Sequence, residues 1–168
     1  EYSYDNEKLT PYAYEVYLDE QETTVNYGLS SQSAMYTLNF TKNNPIYLIL
    51  NSRNGALSWD ESSANGYQII ENDTKVYLHL QPTKQPESVQ VLKDNKLIEA
   101  TESSGKNACI VLKYPAGTKD LSLRYGISFI DEQQAANNLK REVEGKSIAE
   151  LQQTARQIWN DALNKIEV

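Results

Sequence analysis

Side chains that carry most nucleophilic, acid–base and metal chemistry are scarce in this sequence, which has a single His, His79, and a single Cys, Cys109. A nucleophile needs a base within hydrogen-bond reach and a catalytic zinc about three protein ligands, so neither a triad nor a His-rich metal site can be built from this pair. His79 alternates with Val76, Leu78 and Leu80, which reads as the solvent side of a strand. Cys109 lies in the apolar run Ala108-Cys109-Ile110-Val111-Leu112 and reads as packing; one thiol also excludes an intrachain disulfide. The 7 glycines are scattered singly, so no phosphate-cradling loop is present.

Carboxylates are the remaining acid–base candidates, in the pairs Asp19-Glu20, Asp60-Glu61 and Asp131-Glu132. Each pair falls at an expected turn or helix start, where Asp and Glu are favoured for backbone reasons. Glycoside hydrolysis needs two carboxyl groups about 5–9.5 Å apart across a sugar, a geometry that neighbours on one loop seldom hold. No catalytic residue and no metal ligand is therefore assigned. Aromatic platforms are the other means of engaging a sugar, because C–H faces stack on Trp and Tyr while acids bind hydroxyls. Trp59, ahead of the polar stretch Ser62-Ser63-Ala64-Asn65-Gly66, is the best single platform, against the plainer reading of a core Trp at a strand end. Tyr4 and Glu7, in the tyrosine-rich opening, complete the candidate substrate-binding set, against the plainer readings of strand-face packing for the tyrosines and a capping or interface role for Glu7.

These residues need a scaffold, and the composition supplies one. The chain has 168 residues, one domain's length, with 39% apolar residues and a net charge of −7. The acidic balance and the lack of a clustered basic patch set nucleic acid aside as a partner. No apolar run approaches the roughly 20 residues of a membrane-spanning helix. Many of the 12 tyrosines alternate with Val, Leu and Ile, as pleated half-buried surfaces require. The spacing predicts strands over 12–18, 23–29, 34–40, 46–51, 67–71, 75–80, 88–93, 96–101, 109–114 and 121–129, separated by Asn, Asp, Pro and Gly turns. Short antiparallel strands with one buried face imply a sandwich or barrel, and the succession of tight turns favours the sandwich.

At Asp131 the period changes. Asp131 can cap a helix that carries Ala135, Leu139 and Val143 and stops at Gly145. Ser147 and Glu150 form a capping-box pattern ahead of a second helix, with an apolar stripe from Ile148 through Leu151, Ala155, Ile158 and Trp159 to Ile166. A stripe of that length needs a partner surface. The fold expected is thus mainly β, an antiparallel β-sandwich over 1–130, followed by two C-terminal α-helices over 131–168.

The run Arg124-Tyr125-Gly126-Ile127-Ser128-Phe129-Ile130, followed by Asp131-Glu132-Gln133-Gln134-Ala135, Asn138-Leu139, Glu142 and Gly145, resembles the junction in glycoside hydrolase family 92 α-mannosidases. There an N-terminal β-sandwich, super-sandwich-like, passes through linking helices into an (α/α)6 barrel. Ala155-Arg156, Ile158-Trp159-Asn160, Ala162-Leu163 and Ile166-Glu167-Val168 continue the likeness. At the start, Ser3, Asn6-Glu7-Lys8, Pro11, Tyr14 and Val16-Tyr17-Leu18-Asp19 are similar to the family's strand entry. Two positions depart from it: Tyr4 stands where the family has His, and Pro11-Tyr12-Ala13-Tyr14 replaces Pro-Gly-Tyr-Tyr.

The resemblance implies the non-catalytic N-terminal portion of a calcium-dependent, inverting exo-α-mannosidase that is secreted or periplasmic. The general acid, the general base and the calcium ligands would belong to the barrel, so this segment would hold no cofactor of its own. Its partners would be the (α/α)6 catalytic domain of the same polypeptide and, through the whole enzyme, mannose-containing glycans. Residues 131–168 would be a helical linker toward that barrel, and the isolated segment could pair as a homodimer through its uncovered stripe. Two rival readings are a free-standing carbohydrate-binding module and a structural, adhesin-like sandwich without ligand.

Overall fold

In the computed structural model, which describes residues 4–164, the alternating segments become strands. They are β1 (Tyr4–Thr10), β2 (Ala13–Leu18), β3 (Thr23–Leu29), β4 (Ser33–Phe40), β5 (Ile46–Asp60), β6 (Ser63–Ile69), β7 (Lys75–Pro82), β8 (Ser88–Lys93), β9 (Lys96–Ile98), β10 (Glu102–Tyr114) and β11 (Asp120–Ser128). Two helices follow, α1 (Glu132–Glu142) and α2 (Ile148–Leu163). Ser3 and Ile166-Glu167-Val168, which carry part of the family resemblance, lie outside the described residues.

All pairings are antiparallel and run in one order, β1-β2-β3-β4-β11-β7-β6-β5-β10-β8-β9. The expected mainly-β architecture with two trailing helices is what the chain adopts, and its two layers come from a single sheet that folds over on itself. Leu38 of β4 and Leu48 of β5 line the same hollow, although β11, β7 and β6 stand between their strands in the hydrogen-bonding order. The closed face holds the core: Leu80 from β7, Ile110, Leu112 and Tyr114 from β10, and Leu121 and Leu123 from β11 are all buried. Burial of this kind contributes roughly 25 cal/mol per Å² of apolar surface.

The opposite face of the β3–β4–β11–β7 part carries the helices. α1 lies on β11 and β7, and α2 lies on β3. Asp131 caps α1 as its position suggested, its Oδ1 accepting the Gln134 amide at 2.6 Å, and Ala135, Leu139 and Val143 are buried. Gly145, at φ +76°, supplies the left-handed turn that redirects the chain after α1. Ser147 and Glu150 form the expected capping box at the start of α2. Ile148 and Leu151 then pack with Met35 and Val143 in a second, smaller core between helices and sheet.

Several boundaries differ from those read off the sequence. β1 was not anticipated, β5 continues to Asp60, β6 begins at Ser63 and β10 begins at Glu102. The stretch after Trp59 is therefore a two-residue turn between strands and not a polar loop. His79 does face away from the main core, but α1 lies across its strand and leaves it half-buried, with Nδ1 2.6 Å from Asn65 Oδ1.

Candidate functional site

The three residues proposed to meet a sugar come from two parts of the sheet, Tyr4 and Glu7 from β1 and Trp59 from β5. Glu7 sits in an irregular stretch of β1, where the register with β2 shifts between Asp5 and Lys8 and Asn6 takes φ +55°. Asn tolerates that conformation, and the bulge re-aims the next side chain. Glu7 is exposed and accepts a hydrogen bond from Tyr14 Oη at 3.0 Å. Tyr4 pairs with Leu18 through the backbone of the same strand; its side chain is outside the described residues.

Trp59 stands opposite Ala64 near the end of β5, with its amide donating to the Thr101 carbonyl at 2.8 Å. It is partly buried against the main core, the plainer of the two roles weighed for it. Six strands separate β1 from β5 in the sheet order, and no described contact joins Glu7 to Trp59.

Titratable groups elsewhere are perturbed chiefly by burial. Tyr27, Tyr36 and Tyr125 form a stack on the inner face, with Tyr27 Oη 3.1 Å from Tyr125 Oη and ring centroids of Tyr27 and Tyr36 4.6 Å apart. Burial first, then the neighbouring phenols, raises Tyr125; burial and Tyr27 raise Tyr36. Burial alone pushes Tyr114 up to about 12 and holds His79 below 6.5. Cys109 is buried and its thiol is raised by desolvation, so it is not a ready nucleophile. These shifts all favour the uncharged form. Among the described residues no three His, Cys, Asp or Glu side chains are grouped to hold a metal ion.

The densest polar arrangement lies where α1 meets the β3–β4 turn. Glu142 Oε2 accepts the Gln32 amide at 2.8 Å and Oε1 accepts Arg141 at 2.8 Å. Arg141 also donates to Asn138 Oδ1 at 3.0 Å, and Asn138 Nδ2 donates to the Ile127 carbonyl at 2.8 Å. Burial would raise the Glu142 carboxyl, but the Gln32 amide, Arg141 and Ser30 together hold it below its ordinary value. Asn138 and Glu142 could not be singled out in the sequence beyond their place in the junction pattern. Their role is to clamp α1 to the sheet.

Beyond that clamp the surface turns apolar. Phe129 and Ile130, at the entry to α1, are 63% and 71% exposed. On α2, Leu151 and Ala155 are buried, while Ile158 and Leu163 are 64% and 62% exposed and Trp159 is 43% exposed. Leu29, Lys146, Leu151, Ile158 and Trp159 border a hollow of about 190 Å³ between α2 and the β3–β4 turn. A helix stripe that is apolar along its length but covered over half of it has the character of a docking surface. No helix is long and apolar enough to cross a membrane among the described residues.

The family model of the glycosyl hydrolase family 92 N-terminal domain matches residues 1–128. No curated protein matches the sequence. Among solved structures, a family GH92 inverting mannosidase from Bacteroides thetaiotaomicron is similar over 96% of this chain, with a TM-score of 0.86 and 22% identity. A family GH92 α-mannosidase from the same organism is similar over 98%, with a TM-score of 0.86 and 20% identity. These likenesses are likenesses of fold, and the chain spans only 23% and 25% of the length of those two proteins.

Proposed function

The chain belongs to the glycosyl hydrolase family 92 N-terminal domains, and from that membership we propose that it is the non-catalytic β-domain of a calcium-dependent, inverting exo-α-mannosidase. The observation that carries the reading is the half-covered α2: its first turns are bound to the sheet while Ile158, Trp159 and Leu163 are left for another surface. That surface would be an (α/α)6 catalytic domain of the same polypeptide. The barrel would supply the general acid, the general base and the calcium ligands, which are not assigned to any residue here.

In this reading the sheet buttresses the barrel and forms one wall of its cleft toward mannose-containing glycans. Glu7, Tyr4 and Trp59 are the residues proposed to contribute from this side, Glu7 through a carboxylate that Tyr14 already orients. Residues 131–168 act as the helical linker, and the enzyme works in a secreted or periplasmic setting. Without its barrel, the exposed half of α2 is the surface through which two copies would pair.

The test is to assay the polypeptide as its gene encodes it on an aryl α-mannoside, with and without a calcium chelator, beside residues 1–168 alone. Turnover by the long form, lost on chelation, with none by residues 1–168, is expected. Turnover by residues 1–168 would overturn the non-catalytic assignment. Mannoside binding by residues 1–168 that Trp59→Ala weakens would favour the carbohydrate-binding module instead.

A further inference from the structure

The second layer of the sandwich stops short of the first. Strand β5 pairs with β10 along its length, but its other edge is joined to β6 only from Gly55 to Asp60. From Ile46 to Asn54 that edge has no strand partner among the described residues, although near its end the Arg53 amide donates to Gln68 Oε1 at 3.2 Å. Antiparallel pairing with β10 uses the backbone groups of alternate residues, so the others along this stretch point outward from the ladder.

Next to that edge the inner face of the first layer is only partly covered: Val16 and Thr23 are buried there, while Leu18 and Val25 are half-buried. Leu18, Val25, Leu38 and Phe40 face Ile46 and Leu48 across a hollow of about 460 Å³. Leu9 of β1 pairs with Tyr14 of β2, which in turn pairs with Tyr27, the residue whose ring meets Tyr36. This row is continuous with the inner face, yet Leu9 is 74% exposed. An unpaired main-chain edge and a partly covered apolar face thus meet along one line.

We propose that this seam is completed by a β-strand from another part of the same polypeptide, which adds to β5 along Ile46–Ser52 and carries apolar side chains at alternate positions over β2 and β3. The proposal rests on the reading of the chain as one portion of a longer protein, in keeping with its covering about a quarter of the solved structures it matches. An extended strand is the occupant that meets both requirements at once. Its backbone satisfies the β5 edge, and every second side chain enters the hollow. It also continues the existing layer, placing its far side over β2 and β3, where Leu18 and Val25 await cover. A helix could fill the hollow but would leave the β5 amides unpaired, and open edges are hazards that folded proteins cover.

Amide hydrogen exchange on the polypeptide as its gene encodes it tests this. The outward-facing amides between Ile46 and Ser52 are expected to exchange at least about 100-fold more slowly than in an unstructured peptide, and equally at low and high protein concentration. Exchange of alternate amides at near-peptide rates would mean an open edge and overturn the proposal. Protection that grows with concentration would mean pairing with a second copy and overturn it equally. Loss of mannosidase activity from the functional reading would leave this result untouched, because protection is read without substrate.

Discussion

Gly126 of β11 lies directly beneath Ala135 of α1, so closely that a Cβ on Gly126 would overlap the Ala135 carbonyl oxygen and stand 2.8 Å from the Leu139 amide. Both obstacles are helix backbone, which cannot rotate away. Gly126→Ala is therefore expected to lift α1 from the sheet and cost about 2–3 kcal/mol. Gly28, the corresponding seat under α2, would bring a Cβ to the Ile148 side chain at 3.2 Å, to Gln152 at 3.4 Å and to the Ile148 carbonyl oxygen at 3.5 Å, the last an ordinary van der Waals distance. Gly28→Ala should be nearly neutral, since the less flexible unfolded chain offsets about 0.4–1 kcal/mol of the crowding. Urea unfolding of both variants checks the contrast, and equal losses would refute it.

The Glu142 clamp makes a second prediction. Glu142→Gln keeps the shape but removes the charge that accepts from Gln32 and Arg141, and a loss of about 1–3 kcal/mol is expected near neutral pH. The folded carboxyl lies below its ordinary value of 4.5. Its contribution is thus complete above that value and disappears as pH falls through the depressed one. Wild type and Glu142→Gln should converge in stability in acid; a constant gap down to the lowest pH tolerated would show that charge is not what holds the clamp.

The helical half of the structure was more legible than the sheet. Asp131, Gly145 and the Ser147/Glu150 pair are local signals, each needing only its own turn of chain to act. The strand segments that escaped are those whose own side chains show no period of two, including β1, which is largely polar and exposed although it joins β2 through a tight turn. Gly55 and Gly66 carry no side chain to show a period, yet they let β5 and β6 approach so closely that a Cβ on either would overlap a carbonyl oxygen of the other strand. The start of β10, Glu102 to Asn107, is polar and largely exposed, so β5 alone defines it as strand. For the candidate site, residue type could nominate Trp59 and Glu7, but the fold sets them six strands apart, a separation that only the sheet order reveals.

Trp59 and Glu7 should accordingly separate under substitution. Trp59 packs against the main core, and Trp59→Ala is expected to cost about 2–4 kcal/mol in denaturant unfolding. Glu7 is exposed, and its carboxylate accepts a hydrogen bond from Tyr14. Glu7→Gln should leave the unfolding midpoint within about 0.5 kcal/mol of wild type and, if the proposed mannosidase reading holds, raise KM of the longer polypeptide for α-mannosides. An unchanged KM would remove Glu7 from the cleft wall.

His79 predicts a pH dependence of its own. Burial holds the imidazole below 6.5, while Asn65 Oδ1 accepts from Nδ1 and fixes the neutral tautomer. The unfolded chain therefore binds a proton first as pH falls. Stability is unaffected above 6.5 and declines as pH drops from there through the depressed folded value. His79→Gln, which can still reach Asn65, should flatten the stability profile between pH 7 and the folded titration. A profile identical to wild type would place the titrating group elsewhere.

The exposed half of α2 carries the last prediction. Ile158 is 64% exposed on a helix whose earlier residues Leu151 and Ala155 are buried in the sheet contact, so Ile158→Asp should not disturb that contact. In residues 1–168 alone, at a concentration low enough to keep them monomeric, the substitution should change stability by less than about 0.5 kcal/mol. In the longer polypeptide the same charge would enter an apolar interface without a partner, an unfavourable burial of several kcal/mol. Calorimetry should then resolve two unfolding transitions where the parent shows one. If the long form tolerates Ile158→Asp as easily as the short one, α2 does not meet the catalytic domain through this face.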